Sequence, residues 1–236
     1  MKKFNESYGI LAGVDGCSKG WCVALGFLRK ATGAFTAEKI LFCRDITEVF
    51  NLGAEVYAID MPIGLPMEHK PGGRKCDRLA RKLLGPRRAS IFTPPPRKAF
   101  SFKSYEALSQ SGIRISRQSF NILPKIKELD LYLRKCRPKS IYETHPELVF
   151  FRLHGDFLPS KHTSSGLNLR VALLVGTSLF RSLERNLNAI KGNLRLDVLD
   201  AYACLLAAKR IYEDKAQRVP ENIEKDAFDL EMAIWF

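Results

Sequence analysis

Residues 9–26, Gly-Ile-Leu-Ala-Gly-Val-Asp-Gly-Cys-Ser-Lys-Gly-Trp-Cys-Val-Ala-Leu-Gly, constrain the fold more than any other stretch. Two apolar runs flank a glycine-punctuated segment. The pattern predicts a strand, a tight turn through Gly16 and Gly20, and a returning strand. The first run ends on Asp15. A carboxylate at the mouth of a buried strand is costly without a partner. A hydrogen-bonded turn would satisfy it, and so would a cation; the choice turns on whether other acids converge there.

Further along, Phe35–Phe42 reads as a third strand, and Asp45 or Thr47 caps a short helix through Phe50. Ala54–Ile59 is a fourth strand that again delivers an acid, Asp60, before Pro62 and Pro66 end it for want of N–H donors. A fifth, Ser140–Tyr142, runs into Glu143-Thr144-His145-Pro146-Glu147. Helical spacing covers 117–135 (capped by Ser116, broken near Asn121 by Pro124), 147–153, 167–188 and 197–212. The apolar end, 232–236, reads as a terminal edge strand. The expectation is a single α/β domain, 1–236. Its mixed five-stranded central sheet has strands 1-2-3 antiparallel and the later ones parallel, with flanking helices.

Residues 69–138 form a basic helical insertion in this pattern, with a helix over Lys75–Leu84 and an extended Pro94-Pro95-Pro96 segment. The chain of 236 residues is 46% hydrophobic and 27% charged, as an ordinary globular protein is, but its net charge is +13. That balance favours polyanionic partners. Arg74, Arg78, Arg87, Arg88 and Arg97 are candidate phosphate contacts, or else a solvated surface arm. Gln118 and Lys125 lie seven apart on one predicted helix and face either phosphate or solvent. Asp77 beside Arg74 and Arg78 reads as an ion pair on the arm, of little consequence for stability. No apolar run approaches the roughly 20 residues of a membrane span. The start, Met1-Lys2-Lys3-Phe4-Asn5-Glu6, has no apolar region after it of signal-peptide type. Six scattered cysteines without a Cys-x-x-Cys pair read as reduced, mostly buried thiols. The expectation is a cytoplasmic protein.

Acids therefore stand at the end of strand one (Asp15), strand four (Asp60) and strand five (Glu143), and at the start of the last helix (Asp197, Asp200). The C-terminal edge of an α/β sheet is where ligands bind. Asp197 and Asp200 are three apart and share a helix face, where their like charges repel unless a cation intervenes. Carboxylate oxygens suit Mg2+ or Mn2+, and two such ions activate water for phosphodiester cleavage. Asp197 serves equally as an N-cap. Glu143 is either a further ligand or holds a basic side chain, and His145 either shuttles a proton or braces Pro146.

Several stretches, in order, carry a resemblance: Gly13-Val14-Asp15-Gly16-Cys17 with Gly20-Trp21, then Ile59-Asp60-Met61-Pro62-Ile63-Gly64-Leu65-Pro66, and Gly73-Arg74-Lys75-Cys76-Asp77-Arg78. Ser116-Arg117-Gln118, Lys125-Ile126-Lys127-Glu128, Glu143-Thr144-His145-Pro146-Glu147 and Asp197-Val198-Leu199-Asp200-Ala201 complete it. The chain resembles the domain of unknown function 429 family, a group of predicted nucleases with the ribonuclease H-like fold. The resemblance implies a ribonuclease H-like core with Asp15, Asp60 and Asp200 at the superfamily's metal-binding positions and Asp197 where Holliday-junction resolvases carry an acid. It also implies that Lys125 and Gln118 belong to the site. The expected function is a Mg2+- or Mn2+-dependent nuclease acting on DNA or RNA. An actin-like ATPase or sugar kinase shares the strand-Asp-Gly-turn-strand opening, though no second glycine-rich phosphate loop follows. A non-catalytic nucleic-acid binder is the third reading.

Overall fold

The computed structural model describes residues 7–138 and 140–236. In chain order the elements are strands β1 (Tyr8–Cys17), β2 (Gly20–Arg29) and β3 (Ala34–Cys43), helix α1 (Ile46–Phe50) and strand β4 (Val56–Asp60). Next come α2 (Lys75–Leu84), two 3-10 turns (Gly85–Ser90 and Arg97–Ser101), α3 (Tyr105–Gln110), α4 (Arg117–Asn121) and α5 (Leu123–Cys136). The chain then continues through β5 (Ile141–Thr144), α6 (Pro146–His154), α7 (Ser164–Gly176), α8 (Leu183–Asn188), α9 (Leu194–Tyr212), β6 (Arg218–Lys225) and β7 (Glu231–Trp235).

The sheet has seven strands in the order β3-β2-β1-β4-β5-β7-β6, not the five expected. The first three pair antiparallel, and β4 and β5 run parallel to β1, as the sequence pattern indicates. The strand missed in the sequence is β6, Arg-Val-Pro-Glu-Asn-Ile-Glu-Lys. Its charges and internal proline hide its character, yet both suit a strand at the edge of a sheet. The apolar C-terminal stretch is correspondingly not the edge: β7 lies between β5 and β6. Chain contacts group into two compact units, one of Met1–Asp60, Ser140–Gln217 and Trp235–Phe236, the other of Met61–Lys139 and Arg218–Ile234.

Within the first unit, β1 extends through Gly16 to Cys17, so Gly16 is a strand residue paired with Trp21 and the turn is Ser18-Lys19. Gly20 carries the positive φ, +111°, where a side chain would also meet Cys43 O at 2.2 Å. Asp45 is the cap of α1, accepting from the Glu48 amide at 2.9 Å. The spine of the unit is α9. Every residue from Val198 to Leu205 is buried, in keeping with its small and apolar sequence. Gly13 sets how closely that helix lies on β1, since a Cβ there would sit 2.0 Å from Leu205 N and 2.1 Å from Ala201 O. The expected single helix over 167–188 is two. Thr177 and left-handed Ser178 (φ 55°) end α7, and the amides of Arg181 and Ser182 donate to the Glu38 carboxylate of β3 at 3.3 and 2.7 Å. A cap supplied 143 residues away in sequence leaves no local signal.

The second unit is built on buried ion pairs. Arg97 bridges Asp130 (2.6 Å) and Asp226 while its Nη1 donates to Leu65 O at 2.8 Å. Arg74 pairs with Asp77 (2.6 Å) and donates to Ile63 O at 2.7 Å, both side chains being 1% exposed. Two expected phosphate contacts, Arg74 and Arg97, are therefore interior residues, because their guanidinium forks are needed to satisfy carbonyls and acids of the fold itself. For the same reason the Arg74–Asp77 pair is not a surface pair on an arm. Arg78 and Arg88 are exposed and Arg87 is half-buried. The Pro124 break falls as expected, at Ile122, and it separates exposed Gln118 on α4 from half-buried Lys125 on α5, so the two do not share one helix. Removing one member of a buried pair strands the other, so Arg97→Ala is expected to cost about 3–5 kcal/mol in a urea titration. Arg88→Ala should stay within about 0.5 kcal/mol.

Candidate active site

The four aspartates singled out in the sequence belong to the first unit, and two of them are register partners. Asp15 of β1 aligns with Asp60 of the parallel neighbour β4. Aligned residues on adjacent strands project from the same face, with strands about 4.8 Å apart, so the two carboxylates sit side by side. Gly13, two residues before Asp15, shares that face, and it is the residue against which α9 packs. The close approach that Gly13 permits therefore brings the first turns of α9, with Asp197 and Asp200, over Asp15. Asp15 and Asp200 are buried, while Asp60 and Asp197 keep part of their surface open.

The electrostatics follow from this crowding. Burial first, then Asp60, Asp200 and Asp197, hold the Asp15 carboxyl well above the usual carboxylate range, with Lys161 opposing them. Asp60 is raised to about 7, again by burial first and then by Asp200 and Glu147 against Lys161. Burial alone would lower the Lys161 ammonium, but Asp200, followed by Asp60 and Asp15, holds it above its ordinary value. Its Nζ donates to Asp200 Oδ2. The other oxygen, Asp200 Oδ1, is buried with no hydrogen-bond partner among the described residues. Two thiols share the neighbourhood: Cys22, the register partner of Asp15 on β2, and Cys204 of α9. Burial and the nearby acids push both upward, so they remain neutral walls rather than nucleophiles.

Lys161 carries no motif in the sequence; it stands in a loop 39 residues from its partner. That loop is tightly built. Arg170 of α7, fully buried, clamps Glu147 of α6 with two bonds of 3.1 and 2.7 Å and donates 2.8 Å bonds to Pro159 O and Gly166 O. The segment flanking Lys161 is thus tied down by an arginine that the sequence reading also did not single out.

The remaining sequence candidates separate. Glu143 aligns with Ile59, one residue short of Asp60, so the pleat turns its side chain to the opposite face of the sheet. Glu147 is the acid from this side of the chain whose charge bears on Asp60. His145 is the N-cap residue of α6. Asp197 is not a cap: α9 begins three residues before it and its N-cap is Asn193. Lys125, Gln118 and the arginines belong to the second unit.

Residues 13–225 match the family model described as protein of unknown function, DUF429. The chain belongs to this family. Neither the curated proteins nor the solved structures contain a significant match. The family assignment covers both units and carries no activity with it. Among the described residues no helix is long and apolar enough to cross a membrane, and the six cysteines form no disulfide, with all but Cys136 buried.

A hard divalent cation fits the donor chemistry here: all-oxygen side chains, mutual repulsion and an unsatisfied buried oxygen on Asp200. As they stand, Asp200 is paired with Lys161. Among the described residues no three Asp, Glu, His or Cys groups close on a common point as metal ligands. Lys161 is the cation that offsets the cluster, so Lys161→Met is expected to destabilise the metal-free protein by about 3–5 kcal/mol at pH 8. The loss should shrink at pH 5, below the value of about 7 at which Asp60 titrates, because less negative charge is then left for Lys161 to offset, and urea titrations at the two pH values check it.

Proposed function

We propose that this acid cluster is the active site of a metal-dependent nuclease of ribonuclease H-like type, with nucleic acid as substrate. The observation that carries the reading is the register pairing of Asp15 with Asp60 beneath Asp200, with Lys161 as the cation that opposes their repulsion. The sheet order β3-β2-β1-β4-β5, antiparallel through its first three strands and parallel beyond, supports the ribonuclease H-like assignment, and the net charge of +13 supports a polyanionic substrate.

In this reading Asp15, Asp60 and Asp200 hold Mg2+ or Mn2+, and Asp197, at the more open rim, is the ligand for a second ion. Bound there, the ions would activate water and stabilise the leaving oxygen. The protein's own contribution is to present the carboxylates from three rigid elements and to keep the nearby thiols neutral. Lys161, on leaving Asp200, retains a positive charge that can donate to a phosphate oxygen. Glu147 and Arg170 fix the loop from which it acts.

The test is a panel of single- and double-stranded DNA and RNA incubated with Mg2+, Mn2+, Ca2+ or EDTA, together with thermal melts in the same buffers. Cleavage with Mg2+ or Mn2+, absent in EDTA, is expected, with a rise in Tm on adding Mn2+. Absence of both would sink the reading. Binding without cleavage, whatever the metal, would leave a nucleic-acid binder in its place.

A further inference from the structure

The second unit holds an open cavity of about 760 Å3, within the size range of small-ligand sites. Phe100, Phe102 and Ile113 form its apolar wall. Each also packs against the buried cluster Ala99, Leu108, Ile115 and Leu123, so the rings are fixed by the core rather than free to collapse into the space. Half-buried aromatic rings held in this way are the stacking platforms that receive bases of single strands.

The polar part of the lining suits an anion. Arg97 shapes the wall, but its guanidinium is consumed by Asp130, Asp226 and Leu65 O. Lys98 and Lys127 are different. Lys98 pairs with Glu68 at 2.5 Å, yet the two side chains are 61% and 73% exposed, and such a pair exchanges readily for a better anion. Lys127 Nζ has Phe100 O at 3.5 Å, the limit of a hydrogen bond. The Ser101 and Ser111 hydroxyls donate to Lys98 O and Leu108 O, which leaves their lone pairs to accept from a ligand. His69 also lines the cavity, and its Nδ1 is buried with no hydrogen-bond partner among the described residues.

A ring face, an anion site and hydrogen-bond acceptors in one cavity match a nucleotide. We propose that this cavity binds one nucleotide unit, its base against Phe100 and Phe102 and its phosphate on Lys98 and Lys127. A purely apolar ligand would leave both ammonium groups idle, and inorganic phosphate would leave the rings unused. The site lies outside the acid cluster and owes nothing to whether that cluster cleaves.

Binding is measured in EDTA, so that the result stands apart from any metal-dependent cleavage. The probes are fluorescein-labelled oligo-dT and oligo-U 12-mers by anisotropy, and AMP and UMP by calorimetry. Lys98→Glu/Lys127→Glu is expected to weaken oligonucleotide binding at least 10-fold more than two equivalent charge reversals at exposed Lys191 and Lys215. Phe102→Leu, which keeps apolar volume but removes the π face, is expected to weaken it about 5-fold or more. Circular dichroism and thermal melts report whether each variant folds, and the lysine pair, on exposed positions, serves if Phe102→Leu does not. AMP or UMP binding that the same variants weaken would identify a free nucleotide as the ligand; oligonucleotide binding alone would identify a segment of a chain. Absence of binding to every probe, or folded variants that bind as the wild type does, would overturn the proposal.

Discussion

Gly13→Ala is expected to be strongly destabilising. The added methyl would lie 2.0 Å from Leu205 N and 2.1 Å from Ala201 O, both backbone atoms of α9. A flexible side chain could swing away; a helix backbone cannot move without carrying its whole buried length. Since α9 is buried throughout Val198–Leu205, shifting it would open gaps along the sheet. The expected loss exceeds about 4 kcal/mol, the range reserved for overpacking and broken cores. Urea unfolding followed by far- and near-UV circular dichroism measures it. A loss within about 1 kcal/mol would show that α9 can slide on β1, and the rigid presentation of Asp200 over Asp15 would have to be given up.

Asp60→Asn is expected to act in opposite directions on stability and on activity. In metal-free protein the Asp60 carboxyl titrates near 7, above the ordinary carboxylate value of 3.8 that it regains on unfolding. Between those values the folded state binds more protons than the unfolded state, so stability falls as pH rises from about 4 to about 7 and levels off above. The penalty is absent below the unfolded pKa and complete above the folded one. Asparagine carries no charge to repel, so at pH 8 the variant is expected to be more stable than the wild type by on the order of 1–4 kcal/mol, with a flatter pH dependence. Under the proposed function the same change removes a metal ligand. Mn2+ should then raise Tm less than in the wild type, and cleavage should fall by at least about 100-fold. Asp15→Asn should behave alike, since its carboxyl is also raised. An Asp60→Asn protein that is less stable than wild type in EDTA at pH 8 would mean that the carboxylate is already well compensated and under no net repulsion.

The pattern around Asp15 shows how far sequence alone reaches. Alternating apolar runs and turn chemistry are local, and they give β1–β4, a cap at Asp45 or Thr47 that the structure assigns to Asp45, the helix over Lys75–Leu84 and the break at Pro124. They also place acids at strand ends, because a polar residue after a buried run has few other locations. Features fixed by partners distant in sequence were not legible. The Glu38 cap divides α7 from α8 across 143 residues, Lys161 meets Asp200 across 39, and Arg170 meets Glu147 across 23. Charge counts misled where a guanidinium was needed inside, as at Arg74 and Arg97, because composition does not distinguish a solvated arginine from one spent on carbonyls and acids.

The sequence by itself determined the family, the antiparallel-then-parallel order of the first five strands and the four aspartates as candidates, since each rests on local pattern. Tertiary structure alone decided which acids face one another. Register aligns Asp15 with Asp60 and sends Glu143 to the other face, and a missing Cβ at Gly13 lets α9 bring Asp200 in. It also supplied the counter-ion. A buried like-charge cluster needs a cation, and which lysine answers depends on how loop and helix pack, which no spacing of residues along the chain records.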